Sequence, residues 1–426
     1  MNEAKSEQLD FLIVAPTPFF ANRGCHMRIR GEAEALKRCD QKILILTYKE
    51  GKNIEGLEIE RSFFSFGKAK KGVNATWKNL PAGFFLFWLA LQQTFYLKPR
   101  FLYVHLFEGG AIGFLVKYFV WVLSYFQYRP CLVLDIQGSL AGEMKTYGML
   151  KNPFFLWLAQ KMENFILFFP DFIFVSSKQY ANKIKQERNF NDKRIRPLAD
   201  AISLFNWRQD RKTVRTGRNQ WEKNRHLNLI KNVFSLEQIK QIRSWINQEK
   251  IIIIYTGDYA SAKGFPFFLQ KIWPSLLKND DLRFLFGGGI ITSVVQSTVL
   301  LAKNHDKFVS LNNLDIDTLP YFLLLGDIAI DPKFQETTES SGKILNYMAT
   351  GLPVVCFERV NNRFFLQNNG YYAQSEKDFI ELINQLANDP KKRKKLGINN
   401  LKMAWNKFTW DKVARKITKE LKIFKF

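Results

Sequence analysis

The sequence predicts two doubly wound α/β units in tandem, on three observations. Short β-branched or aromatic runs alternate with helical stretches along most of the chain, the pattern of parallel strands joined by crossover helices. That alternation occurs twice, once on either side of a polar, strongly basic stretch. The length of 426 residues accommodates two domains of roughly 150–200 residues each.

In the first series the strands are read at 11–15 (FLIVA), 42–47, 101–106, 131–136 and 172–176. A helix is read from Met27 to Lys37 after the loop PTPFFANRG. Two long apolar stretches follow. Residues 79–97 carry no charge and residues 109–128 carry only Lys117, so length alone would let either cross a bilayer. Pro81, Gly83, Gln92, Gln93 and Thr94 interrupt the first, and a strand-like run follows each. Both are therefore read as crossover helices packed inside a parallel sheet. The 40 Phe and 10 Trp leave room for some of this apolar surface to rest in a membrane interface. In the second series the strands are read at 251–256, 282–286, 308–311, 327–331 and 353–357. Residues 206–225 hold seven basic side chains against Asp210 and Glu222, and a helix is read over 235–248. The expected division is 1–205, a basic connection at 206–250, a second domain at 251–405 and a C-terminal segment at 406–426.

Composition narrows the class. Hydrophobic residues make up 46% and charged residues 24%, a globular balance. The net charge of +24 makes the surface strongly positive. The basic stretch at 206–225 and the run Lys391–Lys395 read either as solvated faces or as attraction to anionic headgroups or polyanions. Cys25, Cys39, Cys131 and Cys356 lie far apart with no CxxC, so neither a disulfide framework nor a structural zinc site is expected and a reducing cytoplasm fits. The first ten residues are polar and the apolar run after them is too short for a signal-peptide core, so no leader is expected.

The segment 335–357, QETTESSGKILNYMATGLPVVCF, carries the clearest chemistry. Ser340 or Glu339 is a plausible N-cap, apolar positions recur at helical spacing, and Gly351 closes the helix before Pro353 opens a strand. Gly342 allows a ligand close to the first turn. Lys343 there opposes the helix dipole unless an anion is present, which points to phosphate; an exposed first-turn lysine is the plainer alternative. A second glycine–lysine turn, GDYASAKG from Gly257 to Gly264, follows the strand at 251–256, and Lys263 with Lys343 would clamp a diphosphate. Gly287–Gly289 forms a further close-approach loop. In the first half, Arg23, Gly24 and His26 flank the start of the first helix, and His105, Glu108, Asp135 and Gln137 fall at the following strand ends. No HExxH, GxSxG, GxxxxGK[ST] or GxGxxG occurs, so the corresponding zinc-hydrolase, serine-hydrolase, P-loop and dinucleotide chemistries are not favoured.

With these residues in view, the chain resembles the retaining GT-B glycosyltransferases of family 4, glycosyl transferases group 1. The resemblance runs through the PFFANRG loop, DIQGSLAGEM, the strand at Asp171–Ser176, PLADAISLF, GDYASAKG, ESSGKILNYMATGLPVV and the closing FTW at Phe408–Trp410. It implies two Rossmann-like domains facing across a cleft, with a C-terminal helix crossing back to the first. It further implies a nucleotide-diphosphate-sugar donor in the second domain, with Lys263 and Lys343 at the phosphates and Gln137 standing where relatives carry histidine. Gly24, Gly257, Asp258, Glu339, Ser341, Gly342 and Asn346 would be donor-side, and Arg23, His26, His105, Glu108 and Asp135 acceptor-side. Three positions depart from the family pattern: Asp258 replaces an Arg, Asn346 replaces the second Glu of a two-glutamate motif, and Thr338 stands at the first, between Glu336 and Glu339.

The expected activity is metal-independent, cofactor-free transfer of a hexose to a cell-envelope glycan or lipid-linked acceptor, in the cytoplasm with peripheral contact to an anionic membrane. The alternatives are a nucleotide-sugar epimerase, for which no proton-abstracting set is visible, and a basic nucleic-acid-binding protein, for which no reader motif is visible.

Overall fold

The computed structural model describes residues 8–21, 24–63, 80–146, 152–187, 193–204, 219–288, 306–312, 314–335 and 341–422. Over these residues the contacts divide into two compact units, Met1–Ala201 with Trp410–Phe426, and Ile202–Glu336 with Ser341–Thr409.

The first unit is built on a seven-stranded, wholly parallel sheet of order β3-β2-β1-β4-β5-β6-β7. Its strands are β1 (Phe11–Ala15), β2 (Ile43–Thr47), β3 (Ile59–Arg61), β4 (Phe101–His105), β5 (Cys131–Ile136), β6 (Phe172–Val175) and β7 (Ile195–Pro197). The helices are α1 (Gly24–Arg38), α2 (Leu80–Leu97), α3 (Leu106–Leu123), α4 (Leu140–Thr146), α5 (Pro153–Ile166) and α6 (Lys178–Glu187). Right-handed crossovers send α1 to one face, because β1 to β2 runs toward one edge. They send α2, α3, α5 and α6 to the other, because from β3 onward each step runs the opposite way. Packing agrees: Leu102, Val104, Leu132 and Leu134 form one core with Leu86 and Leu89 of α2 and with Ile112 and Val116 of α3. Strands covered on both faces read as near-continuous apolar runs, which is why β1, β4 and β5 were legible.

The two long apolar stretches are crossover helices, but the expectation that they pack inside the fold needs correction. Only 28% of the α2 window and 44% of the α3 window is buried. Lys117 is buried and paired at 2.7 Å with Asp171, whose carboxylate also accepts the Leu132 N–H.

The second unit has a six-stranded parallel sheet of order β10-β9-β8-β11-β12-β13. Its strands are β8 (Ile251–Gly257), β9 (Leu282–Gly288), β10 (Phe308–Asn312), β11 (Ile328–Asp331), β12 (Val354–Phe357) and β13 (Gly370–Ala373). Part of the segment read as a connection folds here, as α7 (Gln220–Leu229) and α8 (Leu236–Asn247). Ser235 and Gln238 make a capping box at the start of α8, and Lys223 of α7 pairs with Asp327 at 2.7 Å. The remaining helices used below are α9 (Leu319–Leu324), α10 (Gly342–Ala349), α11 (Val360–Leu366), α12 (Glu376–Asn388) and α13 (Pro390–Lys407). The core is aromatic: Tyr255, Tyr259, Phe265 and Phe286 stack or meet edge to face, Tyr259 and Phe265 at 4.3 Å.

The last helix, α14 (Trp410–Leu421), belongs to the first unit. It lies on α1 because Gly31 leaves room for the Trp410 indole: a Cβ at Gly31 would sit 2.1 Å from the ring. Arg38 with Asp411 at 2.7 Å and Arg196 with Glu420 at 3.1 Å fix its two ends.

Candidate functional site

In the second unit the strand order reverses between β8 and β11, which pair in parallel through Ile253–Ile328 and Ile254–Ala329. Ligands of open α/β sheets bind at the carboxyl ends of strands flanking such a reversal. The chain is shaped for close approach there. Gly257 ends β8 at φ +134°, and a Cβ on it would stand 3.7 Å from the Lys343 Nζ. Gly264 follows Lys263 at φ +74°, and its Cβ would fall 2.1 Å from the Pro332 carbonyl oxygen. Only glycine fits, and the turn carrying Lys263 is thereby pressed onto the end of β11.

Helix α10 begins at the same edge. Ser341 precedes it without capping the first turn through its side chain, and a Cβ on Gly342 would meet nothing within 4 Å. Among the described residues the helix tip is open and its first-turn N–H groups have no side-chain cap. Tyr347 anchors the helix from below, its hydroxyl oxygen accepting the Thr256 N–H at 2.7 Å. From outside, the Trp405 indole N–H donates to Ala349 O and Asn400 donates to Leu352 O. Gly351 ends the helix at φ +72°, as read from the sequence.

Lys343 projects back over the strand ends. Its Nζ is 4.4 Å from the Tyr255 ring centroid and 2.9 Å from Asp331 Oδ1, with the side chain 15% exposed. The anion opposite this lysine is thus partly supplied by the protein. Asp331 ends β11 fully buried. Burial raises its pKa, but the charges of Lys343 and Arg359 and a 3.0 Å hydrogen bond donated by Ser341 outweigh it and hold the carboxyl below its usual range. Arg359, at the end of the β12 segment, and Lys333, just past β11, are both almost wholly buried. The Lys343 ammonium and the Arg359 charge thus both act on one buried carboxylate, Lys333 lies just past it, and Lys263 sits in the turn pressed onto the same strand end, a cationic setting suited to a polyanion. The sequence reading missed Asp331, Lys333 and Arg359.

Other donor-side candidates are placed as follows. Asp258 is exposed, and its carbonyl accepts the Tyr255 hydroxyl at 2.7 Å. Asn346 is buried on α10, its Oδ1 accepting the Ser203 N–H at 2.9 Å. Gly287 and Gly288 close β9, where a Cβ on Gly288 would sit 2.4 Å from Gly257 O. Glu336, Thr338, Glu339, Gly289 and Arg23 lie outside the described residues.

The first-unit candidates separate into two groups. Gly24 opens α1 exposed, Glu108 is half-buried in the first turn of α3, and Gln137 follows β5 half-buried. The Gln137 Nε2 has no hydrogen-bond partner among the described residues. His26, His105 and Asp135, read as acceptor-side, are all buried. His26 Nδ1 accepts the Ala21 N–H at 2.8 Å and holds the loop before α1. His105 Nδ1 lies 3.2 Å from Asp135 Oδ2 beneath α1, where Arg28 donates to both Asp135 oxygens at 2.8 and 2.6 Å. Arg28 also meets Glu32 at 3.1 Å and Asp200 at 2.7 Å. One guanidinium thus faces three carboxyls. Burial and the Asp135 charge push Glu32 up to about 8, so it keeps its proton and accepts from the Tyr103 hydroxyl at 2.6 Å. Asp135 stays ionised, held below its usual range by Arg28 and His105 against burial. Glu32, His105 and Asp135 offer ligand atoms within 4.8 Å of one another, but the cation this set holds is Arg28.

Residues 250–389 match the model of the family glycosyl transferases group 1. No curated protein sequence matches the chain significantly. Among solved structures, sucrose-phosphate synthase from Thermosynechococcus elongatus superposes with a TM-score of 0.71 at 13% identity, covering 98% of this chain and 99% of that one. The catalytic domain of starch synthase IV from Arabidopsis thaliana, bound to ADP and acarbose, gives 0.73 at 14%, covering 98% and 99%. Anabaena HepE in complex with UDP and glucose gives 0.66 at 13%, covering 97% and 100%. At these identities the likeness is one of fold.

Proposed function

We propose that this chain, a transferase that carries a group 1 glycosyltransferase domain on a two-domain α/β fold of the GT-B kind, moves a hexose from a nucleotide-diphosphate sugar with retention of configuration. The observation that carries the reading is the placement of Lys343 over the strand ends at the β8/β11 reversal, beside an α10 tip that has no side-chain cap among the described residues. Negative charge grows on the departing diphosphate as the glycosidic bond breaks. Lys263, Lys343 and the first-turn N–H groups of α10 would stabilise it without a divalent ion. Asp331, the buried carboxylate of this edge, is engaged by Lys343 and Ser341, so the acceptor hydroxyl attacks from the face the diphosphate leaves, and its proton passes to a leaving-group oxygen. The nucleotide-bound states of starch synthase IV and HepE favour a nucleotide-linked donor. The acceptor is a cell-envelope glycan or lipid-linked saccharide, and the reaction runs on the cytoplasmic side.

The test is a thermal-shift screen of the full chain against nucleoside diphosphates and their sugars, with chelator present. A bound donor raises the melting temperature by mass action, about 2.7 kcal/mol of stabilisation at 100 times Kd. A shift with one nucleotide series supports the reading; no shift with any of them at millimolar concentration refutes it.

A further inference from the structure

The face of the first unit opposite α1 is unusual for a protein in water. Most of the exposed large apolar side chains among the described residues fall between Leu80 and Phe168, on α2, α3, α5 and the turns that end them. Right-handed crossovers place these three helices side by side in one layer, and ring contacts join them: Phe87 to Phe119 at 5.9 Å and Phe114 to Phe165 at 6.1 Å. The outward side of that layer shows Trp88 at 60% exposure, Phe119 at 50% and Trp157 at 51%, with Phe84, Tyr96 and Phe126 more exposed still. A dozen half-exposed aromatics at roughly 100 Å² each make a patch on the order of 1,000 Å², well above the ~300–600 Å² of ordinary monomers.

Charge around the patch identifies the occupant. α2 has no charged residue, Glu108 of α3 is half-buried, and Glu163 of α5 is buried and hydrogen-bonded to Ser139, so these helices present no fully exposed acid. Exposed cations frame them: Lys98 and Arg100 after α2, Arg129 beyond α3, Lys161 on α5 beside the Trp157 ring, and Lys178 and Lys183 on the neighbouring α6. α2, α3 and α5 each lead into a parallel strand, so their C-terminal ends lie toward one edge of the sheet, where Lys98, Arg100 and Arg129 stand. We propose that this face lies on an anionic lipid bilayer, its aromatic side chains in the interface and its flanking cations at the headgroups. The inner sides of α2 and α3 cover β4 and β5, so the helices rest on the membrane as part of the folded sheet layer. The inference does not depend on the donor reading, and its test uses no turnover.

Flotation of the purified full chain with vesicles of phosphatidylcholine alone and of equimolar phosphatidylcholine and phosphatidylglycerol decides it, at low and at high salt. The expected result is binding to the anionic vesicles that persists in part at high salt, and at least a tenfold fall in partition for the Trp88→Ser, Phe119→Ser, Trp157→Ser variant, with its melting temperature kept. Brominated lipid should also quench part of the tryptophan emission of the unaltered chain, a readout that needs no variant. Three results would overturn the proposal: failure to bind either vesicle, binding lost wholly with salt and indifferent to the triple variant, or a dimer that the triple variant converts to monomer without any vesicle binding.

Discussion

Removing the Lys343 ammonium should do two separable things, one to the fold and one to the reaction. Lys343→Ala leaves Asp331, a fully buried carboxylate, without its partner at 2.9 Å. Breaking a buried pair from one side costs about 3–5 kcal/mol. Lys343 keeps some solvent contact and the Arg359 charge still acts on Asp331, so the lower end, about 3 kcal/mol, is expected. For a unit of this size that is a drop of roughly 6–12 °C in melting temperature. Adding Asp331→Asn removes the stranded charge while its side chain still accepts from Ser341, and should restore stability to within about 1 kcal/mol of the unaltered chain. Turnover should not return. Below the transition of every variant, both Lys343→Ala and the double variant should turn over a confirmed donor ~100-fold or more slowly, the scale of losing one charge-stabilising donor. Differential scanning calorimetry and single-turnover kinetics on the same preparations separate the two effects. Near-normal turnover in the double variant would show that Lys343 serves only to neutralise Asp331, and the catalytic assignment would be wrong.

Three further outcomes follow from the geometry. Gly264→Ala must either abandon φ +74° or push Pro332 aside, and should destabilise the second unit by at least about 1–3 kcal/mol and weaken nucleotide binding, since Lys263 is its neighbour; denaturant melts and titration calorimetry check both. Trp410→Ala empties the space over Gly31 and should cost about 3–5 kcal/mol, read in the same melts. Glu32 titrates near 8 in the folded chain, above its unfolded value near 4.5, so between those pH values the unfolded state has released a proton the folded state keeps. Its contribution is full below the unfolded value and is lost as pH rises, by about 1.4 kcal/mol per unit in that window; Glu32→Gln should flatten the stability profile there.

The strands were legible because most are short, mainly apolar and flanked by turns. β1 and β5 fall on the predicted residues, and β2 and β4 within one residue of them. β3, β7 and β13 were not read, since Ile59–Arg61, Ile195–Pro197 and Gly370–Ala373 are short edge strands without an apolar run. The extent of α8, read over 235–248, and the glycine stop of α10 are local signals and were visible. The exposed aromatic side of α2 and α3 was not, because a helix apolar all round gives no periodic cue to which side faces the sheet.

The site divides along the same line. Lys263, Lys343 and Gly342 stood out as local oddities. Asp331 looked like the last residue of a strand, and only the return of α10 brings Lys343 to it. His105 and Asp135 sit at strand ends as predicted, yet Arg28 and Glu32 reach down from α1 and cover them. Burial at a strand end depends on the helix that returns over it, which no spacing in β4 or β5 encodes.

Titration calorimetry of the full chain with a nucleoside diphosphate, in chelator, against the Lys263→Gln variant tests the central claim most directly. Binding without divalent ion that weakens at least tenfold in the variant is the predicted result. Equal affinity in both proteins would contradict the assignment of these strand ends to a pyrophosphate.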